Sequence, residues 1–369
     1  MVQWSGALEG LDVNPGFWPS RRVLVTGHTG FKGSWLSLWL QRMGAVATGY
    51  ALAPPTMPNL FETARVGVGM HSVVGDVRDF AALRATVAES RPEIVFHLAA
   101  QPLVVPSYQQ PVETYATNIM GTVHVLEAVR QVGGVRAMVN VTSDKCYANR
   151  EWLWGYREHE PMGGDDPYSS SKGCAELVTA AYRASFFPAA DYAEHGVALA
   201  SARAGNVIGG GDWADYRLIP DVIRAFQDRR TLFIRSPEAV RPWQHVLEPV
   251  SGYLTLAERL CDEGPVFAEG WNFGPAETDA QPVRWLVDQL AALWGNNATW
   301  VSDRAPHPHE AHYLKLDCAK ARARLGWTPR WDLPRALVET VTWYQQHQAG
   351  AEMQAVTLGQ IERFEETER

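Results

Sequence analysis

One stretch restricts the fold of this chain more than any other. Val23-Leu24-Val25-Thr26 is a short continuous apolar run, the pattern of a strand buried on both faces. Gly27-His28-Thr29-Gly30-Phe31-Lys32-Gly33 follows at once, and Ser34-Trp35-Leu36-Ser37-Leu38-Trp39-Leu40 then reads as an amphipathic helix. In a strand–turn–helix unit such glycines let the backbone approach a pyrophosphate, while the helix N-terminus offers unpaired N–H groups and positive potential. The spacing is G-x-x-G-x-x-G rather than G-x-G-x-x-G, and on the glycines alone a plain tight turn is the alternative. Such a unit calls for a doubly wound α/β fold with a parallel sheet.

The chain downstream continues the alternation. Residues 45–51 predict a second strand. In a dinucleotide site an acid often ends this strand to hold the adenosine ribose, but here the end is Tyr50-Ala51-Leu52-Ala53. Lys32 could instead meet a 2′-phosphate. Residues 73–77 predict a third strand ending in Asp76-Val77, placed to meet an adenine, and Asp79 is a candidate helix cap. Residues 93–101 predict a fourth strand running into Leu98-Ala99-Ala100, which leaves room for a ligand at the strand end. His97, inside that apolar run, reads as a core histidine. A helix is expected over 118–132, with Leu126 and Val129 on its apolar face, and a fifth strand over 138–142.

The fifth strand delivers Ser143-Asp144-Lys145-Cys146-Tyr147 to the cleft edge, and Tyr168-Ser-Ser-Ser-Lys172 follows. Tyr-x-x-x-Lys sets a phenol and an ammonium on one face of a helix. A free tyrosine has a pKa of about 10, and a neighbouring cation favours the phenolate. The pair can then take a hydroxyl proton while a nicotinamide takes hydride from the same carbon. Alone the motif is weak, since a solvated helix turn satisfies it too.

Beyond a sixth strand at 198–202 the alternation loosens. A helix is expected at 220–229, short strands at 231–234 and 241–246, the last sheet strand at 271–274, and helices at 283–293 and 318–325. The tail after Gly350 reads as a solvated helix. The 369 residues suffice for a large core, and a net charge of −8 argues against a nucleic-acid or anionic-membrane partner. Cys146, Cys174, Cys261 and Cys318 form no C-x-x-C pair. Reduced thiols in the cytoplasm are the expectation. No signal peptide, membrane span or metal site is read.

Taken together, Gly27-x-x-Gly30-x-x-Gly33, Asp76-Val77, Leu98-Ala99-Ala100, Asn118, Ser143 and Tyr168-x-x-x-Lys172 resemble an extended short-chain dehydrogenase/reductase over roughly residues 18–345. Within it, Gly27 to Leu36, Ser143 to Tyr147, Asn149-Arg150-Glu151-Trp152, Asn206-Val207-Ile208-Gly209-Gly210-Gly211-Asp212-Trp213 and Arg241-Pro242-Trp243-Gln244-His245-Val246 most resemble the CDP-glucose 4,6-dehydratase family. The resemblance implies a Rossmann-type doubly wound parallel sheet with a smaller C-terminal substrate-binding domain. The division implied is 18–205 plus 236–274 for the NAD-binding part, and 206–235 plus 275–350 for the substrate-binding part.

It also implies NAD as cofactor, bound by Gly27, Thr29, Gly30, Phe31, Lys32, Gly33, Asp76, Val77, Leu98, Ala99, Ala100, Tyr168 and Lys172. Ser143, Asp144, Lys145, Tyr168 and Lys172 would be catalytic. Water must leave carbon 6, so the reaction needs an acid and a base beyond the Tyr/Lys pair. Asp144 is the candidate acid. Lys145 stands where dTDP-glucose dehydratases carry a glutamate base, and desolvation or a neighbouring cation lets a lysine serve as base; an ion pair that merely fixes Asp144 is the alternative. A plain epimerase needs neither group. Arg241 is the main candidate for the substrate diphosphate, with Asn206, Asn272, Arg235, His245 and His309 beside it. A homodimer through the helices at 118–132 and 169–184 is implied by the resemblance alone. The alternatives kept open are a sugar-nucleotide 4-epimerase or a dehydratase of another nucleotide hexose.

Overall fold

The computed structural model describes residues 13–295, 298–303 and 313–367. Six strands appear in the expected order: β1 (Arg22–Thr26), β2 (Val46–Ala51), β3 (His71–Val74), β4 (Ile94–His97), β5 (Ala137–Val141) and β6 (Ala198–Arg203). With Gly270–Asn272 they form one seven-stranded sheet, ordered Gly270–Asn272, β6, β5, β4, β1, β2, β3. Every pairing in it is parallel. The chain reverses its winding between β1 and β4, and at such a switch point a crevice opens beyond the strand ends.

Why these runs become strands is visible in what each residue faces. In β1, Val23 and Val25 join one apolar layer and Leu24 the other; β4 divides Ile94 and Phe96 from Val95 in the same way, and β6 divides Ala198, Ala200 and Ala202 from Leu199. A strand covered on both faces has no use for polar alternation. The helices Phe80–Ser90, Gly121–Val132 and Pro167–Ser185 cover one face, and the helices Phe31–Arg42 and Leu247–Glu263 the other.

Several boundaries differ from the sequence expectation. The third strand stops at Val74, so Asp76 and Val77 lie past its end. There Tyr50 Oη donates to Asp76 O (3.0 Å) and the Tyr50 ring closes over Gly75. The helix expected to begin at Asn118 begins at Pro111 and passes through a wide π-turn at Ala116–Met120 before Gly121–Val132; Leu126 and Val129 are fully buried, as expected. The helix Leu247–Glu263 was not foreseen. It is buried nearly all round, which erases the amphipathic period that reveals a helix. The helix Leu333–Gln348, capped by Asp332, was likewise missed.

The tail is not a solvated helix. Met353–Glu366 buries Met353, Ile361 and Phe364, sets Phe364 edge-on to Trp39 at 5.7 Å, and accepts the Trp39 Nε1 proton at Glu365 Oε1 (2.7 Å). It therefore braces the helix that follows the glycine turn. Beyond the sheet, short strands pair in twos: Val207–Ile208 with Gln244–His245, Val240–Pro242 with Ala280–Pro282, and Leu232–Ile234 with Trp300–Ser302. No helix among the described residues is long and apolar enough to cross a membrane, and none of their His, Cys, Asp and Glu cluster as a metal site.

Candidate active site

The glycine turn closes on itself. Gly27 sits at φ +76°, and a Cβ there would lie 2.7 Å from Ala99 N. A Cβ on Gly33 would lie 2.1 Å from Gly27 O, so both positions exclude a side chain. Gly30 caps the helix Phe31–Arg42 without a side-chain hydrogen bond, and its first turn holds no acid. The leading N–H groups are thus left for an anion. Thr29 Oγ1 ties the turn to Leu52 O beyond β2 (2.9 Å), and Ser34 Oγ to His28 O (3.0 Å).

Lys32 does not face the end of β2, where a 2′-phosphate would be met. His28 occupies that side, its ring against Gly49 and its Nε2 2.7 Å from Ser72 Oγ. Burial pushes the Lys32 ammonium down to about 7, Arg217 and Lys172 push the same way and Asp144 opposes them. Those partners place Lys32 at the opposite, catalytic end of the cleft. Asp76 spends its carboxylate on Arg78, whose Nη2 lies 2.5 Å from Oδ2, and Val77 is buried beneath Gly121.

At the ends of β4 and β5 the expected constellation assembles. His97 is a core histidine: Thr26 Oγ1 lies 2.7 Å from Nδ1 and Thr122 Oγ1 3.2 Å from Nε2, and burial pushes it down to about 3. Ser143 caps a tight turn over Asp144–Cys146, accepting from Lys145 N (3.2 Å) and donating to Asp144 Oδ1 (2.9 Å). Asp144 is buried, and its Oδ2 has no hydrogen-bond partner. Lys145 is half-buried and makes no ion pair with Asp144; among the described residues its ammonium has no partner.

Tyr168 and Lys172 enter on the helix Pro167–Ser185, whose N-terminus Asp166 caps by accepting from Ser169 N (2.9 Å). Asn118 holds the helix down: its Nδ2 donates to Ser171 Oγ (2.8 Å) and Gln101 O (3.0 Å). Both reactive side chains are buried. Burial pushes the Tyr168 phenol up to about 12; a Ser143 hydrogen bond and the Arg217 guanidinium oppose it, and Asp144 adds to it. Burial pushes Lys172 down to about 8, with Glu176 opposing.

Arg217 is the residue sequence reading missed. Its Nη1 donates to Asp212 Oδ2 (2.8 Å), and Asp212 is held in turn by Tyr344, whose hydroxyl donates to Asp212 O (2.5 Å). Arg217 directly precedes the helix Leu218–Gln227, and nothing in Tyr216-Arg217-Leu218 marks it. Its nearness to Tyr168 exists only after the chain returns to the cleft.

The remaining substrate candidates divide. Asn206 stands at the end of β6, half-buried, with a left-handed φ of 47°. Such strain at a cleft edge is a mark of functional positions. Arg241 is buried and donates to Val240 O (2.9 Å); Arg235 is exposed just past Leu232–Ile234. Asn272 is a correction. It is fully buried, accepts from Tyr147 Oη (2.8 Å), and donates to Tyr156 O (2.8 Å) and Asp317 O (3.2 Å), so its amide is consumed inside the protein. His245 is also a core residue, packed between the rings of Trp35 and Trp331. His309 lies outside the described residues.

The family model for GDP-mannose 4,6 dehydratase matches residues 24–340. This chain belongs to the sugar-nucleotide 4,6-dehydratase family. The dehydratase is 61% identical to the CDP-glucose 4,6-dehydratase of Salmonella typhimurium (strain LT2), over 92% of this chain and 95% of that protein. In fold it is similar to a dTDP-glucose 4,6-dehydratase of Streptomyces venezuelae solved with NAD bound (TM-score 0.75, 24% identity, 90% of this chain and 99% of the other). It is also similar to a UDP-glucose 4-epimerase of Thermotoga maritima (TM-score 0.76, 23% identity, 88% and 99%). The residues present here fit a dinucleotide such as the NAD bound in the Streptomyces venezuelae enzyme. The uncapped, acid-free helix start at Gly30 suits a pyrophosphate, and the turn at Gly27 and Gly33 keeps the backbone clear of side chains.

Proposed function

We infer that this dehydratase converts CDP-glucose to CDP-4-keto-6-deoxy-glucose with loss of one water. The observation that carries the reading is Asp144, a buried carboxylate with one oxygen unpartnered, beside Tyr168 and Lys172 in a chain 61% identical to a CDP-glucose 4,6-dehydratase. When bound, NAD supplies a hydride acceptor for sugar carbon 4 and a hydride donor for carbon 6. Tyr168 Oη takes the proton of the carbon 4 hydroxyl, and Ser143 Oγ hydrogen-bonds the same oxygen. The 4-ketone acidifies the carbon 5 proton, and Lys145 Nζ removes it. Asp144 Oδ2 holds the proton that goes to the carbon 6 hydroxyl, and water departs. Lys145 makes no pair with Asp144, and the base role calls for its Nζ as the neutral amine, which alone carries the lone pair that accepts the carbon 5 proton. The raised Tyr168 phenol needs cations to ionise, and both Lys172 and Arg217 are available.

Arg241, Asn206 and Arg235 are assigned to the substrate nucleotide. The parts proposed are residues 18–205 with 236–274 for NAD and 206–235 with 275–350 for the sugar nucleotide. The strand pairs Val207–Ile208 with Gln244–His245 and Val240–Pro242 with Ala280–Pro282 stitch the two parts together. The protein is assigned to the cytoplasm as a homodimer. The homodimer rests on the family resemblance, and a second copy on the helices expected to pair would cover the exposed Val112, Met120 and Leu177.

The test is incubation of the purified protein with NAD and either CDP-glucose or dTDP-glucose, followed by mass analysis. Loss of one water from CDP-glucose alone, with no net reduced cofactor, is the expected result. An unchanged mass with an inverted sugar carbon would replace the reading by 4-epimerisation.

A further inference from the structure

One buried ion pair, Glu176 with Arg203, joins the catalytic helix to the end of β6 and has no place in the reaction so far. Glu176 follows Lys172 by four residues, so both sit on one helical stripe. Its carboxylate is almost wholly buried and accepts four hydrogen bonds. Arg203 supplies two, from Nε to Oε1 (2.9 Å) and from Nη2 to Oε2 (2.8 Å). Thr142 Oγ1 gives a third (2.5 Å) and Ser201 Oγ a fourth (2.6 Å). Arg203, at the end of β6, also donates from Nη1 to Tyr147 Oη (2.6 Å) and stacks on that ring. Tyr147 in turn donates to Asn272, whose amide reaches Tyr156 O and Asp317 O. One chain of bonds therefore runs from the helix of Tyr168 and Lys172, through the end of the Ser143–Tyr147 segment, to the C-terminal part.

Buried ion pairs add little to stability as such, so the placement invites a different account. We propose that Glu176 and Arg203 are positioning residues for the reaction: the carboxylate end of the pair keeps Lys172 an ammonium beside Tyr168, and Arg203 both secures that charge and ties Tyr147 to the same helix. The proposal rests on the dehydratase reading only in giving Lys172 a part in the reaction.

The other groups facing Lys172 do not do this. Lys32, from the glycine turn, is a competing cation. His97, from β4, stays neutral, and Cys146, from the catalytic turn, would raise Lys172 only as a thiolate, whereas burial pushes that thiol well up. Asp144 faces Gly205 and Lys32. Glu176 is the carboxylate that opposes the burial of Lys172, and Arg203 opposes the burial of Glu176.

The test compares the wild-type protein with Glu176→Gln, Glu176→Asp and the double variant Glu176→Gln/Arg203→Met. The double variant strands no charge and keeps the test valid if the single one does not fold. Two readouts are taken: the pH profile of turnover on CDP-glucose, and the titration of the Lys172 side-chain nitrogen by NMR, its signal assigned with Lys172→Arg. Without Glu176, Lys172 loses its proton at lower pH. The alkaline limb and the NMR midpoint then move down together by about one pH unit, a roughly tenfold loss of the charged form at a given alkaline pH. Glu176→Asp restores both. A folded double variant whose Lys172 midpoint stays where it is in the wild type overturns the proposal. A shifted midpoint in a protein that does not dehydrate CDP-glucose upholds the pair and removes the substrate reading instead.

Discussion

Gly205 offers the sharpest test of Asp144. It lies outside the left-handed region, so alanine there meets no backbone strain. Its Cβ, however, would stand 1.8 Å from Asp144 Oδ2 and 2.1 Å from Cγ. To reach van der Waals separation the carboxylate must retreat by about 1.5 Å, breaking the 2.9 Å bond that it accepts from Ser143. A displacement of about 1 Å costs a positioned catalytic group roughly 100-fold, or about 2.7 kcal/mol in the barrier. Gly205→Ala should therefore slow water loss from CDP-glucose at least 100-fold. Oxidation at carbon 4 depends on Tyr168 and Lys172 and should survive, so reduced cofactor builds up on the enzyme and is read by its absorbance in a single turnover. Dehydration at the wild-type rate would refute the role given to the Asp144 carboxylate. Equal loss of oxidation and dehydration would refute its confinement to the elimination step.

Other perturbations follow from the same geometry. Gly33→Ala forces a Cβ to 2.1 Å from Gly27 O and should weaken NAD binding by roughly two orders of magnitude, about 2.7 kcal/mol; an unchanged Kd in calorimetry would mean that the closed turn does not shape the cofactor site. Burial pushes Glu258 up to about 8 against the bonds from Trp18 Nε1 and Asn14 N. The folded chain thus keeps a proton that the unfolded chain releases above its ordinary 4.5, and stability falls as pH rises from there to 8. Glu258→Gln keeps the accepting oxygen. It should stabilise the protein by about 3 kcal/mol near pH 7.5 and by nothing below pH 4.5, and an offset independent of pH in denaturation curves would contradict this. Phe364→Ala empties the contact with Trp39 and Trp331 and should cost about 3–5 kcal/mol in denaturant melts; a cost under about 1 kcal/mol would show that the last helix is not docked.

Some of this protein was written in local pattern. The strand–turn–helix at 23–42 needs only apolar runs, glycines that tolerate close approach, and a helix start free of acids, all of which are local. The strands buried on both faces show as unbroken apolar runs, and the Tyr168–Lys172 stripe follows from helix periodicity. What escaped local pattern did so for physical reasons. The helix Leu247–Glu263 is buried all round, so it carries no polar face to betray it. The tail helix looks solvated because its few apolar residues gain meaning only against Trp39. Asn272 and His245 have the chemistry of ligand groups, but neighbours from distant parts of the chain fill their hydrogen bonds or enclose their rings. Arg217 shows the reverse: an ordinary charged residue by sequence, it meets Tyr168, some 50 positions earlier, only because the chain returns to the crevice, and Glu176, one helical turn from Lys172, finds Arg203 only because β6 packs against that helix. The sequence by itself determined the sheet, the cofactor turn and the reacting pair. Only the tertiary structure decided which charges surround that pair, because burial and electrostatic proximity belong to the packed chain and not to any window of it.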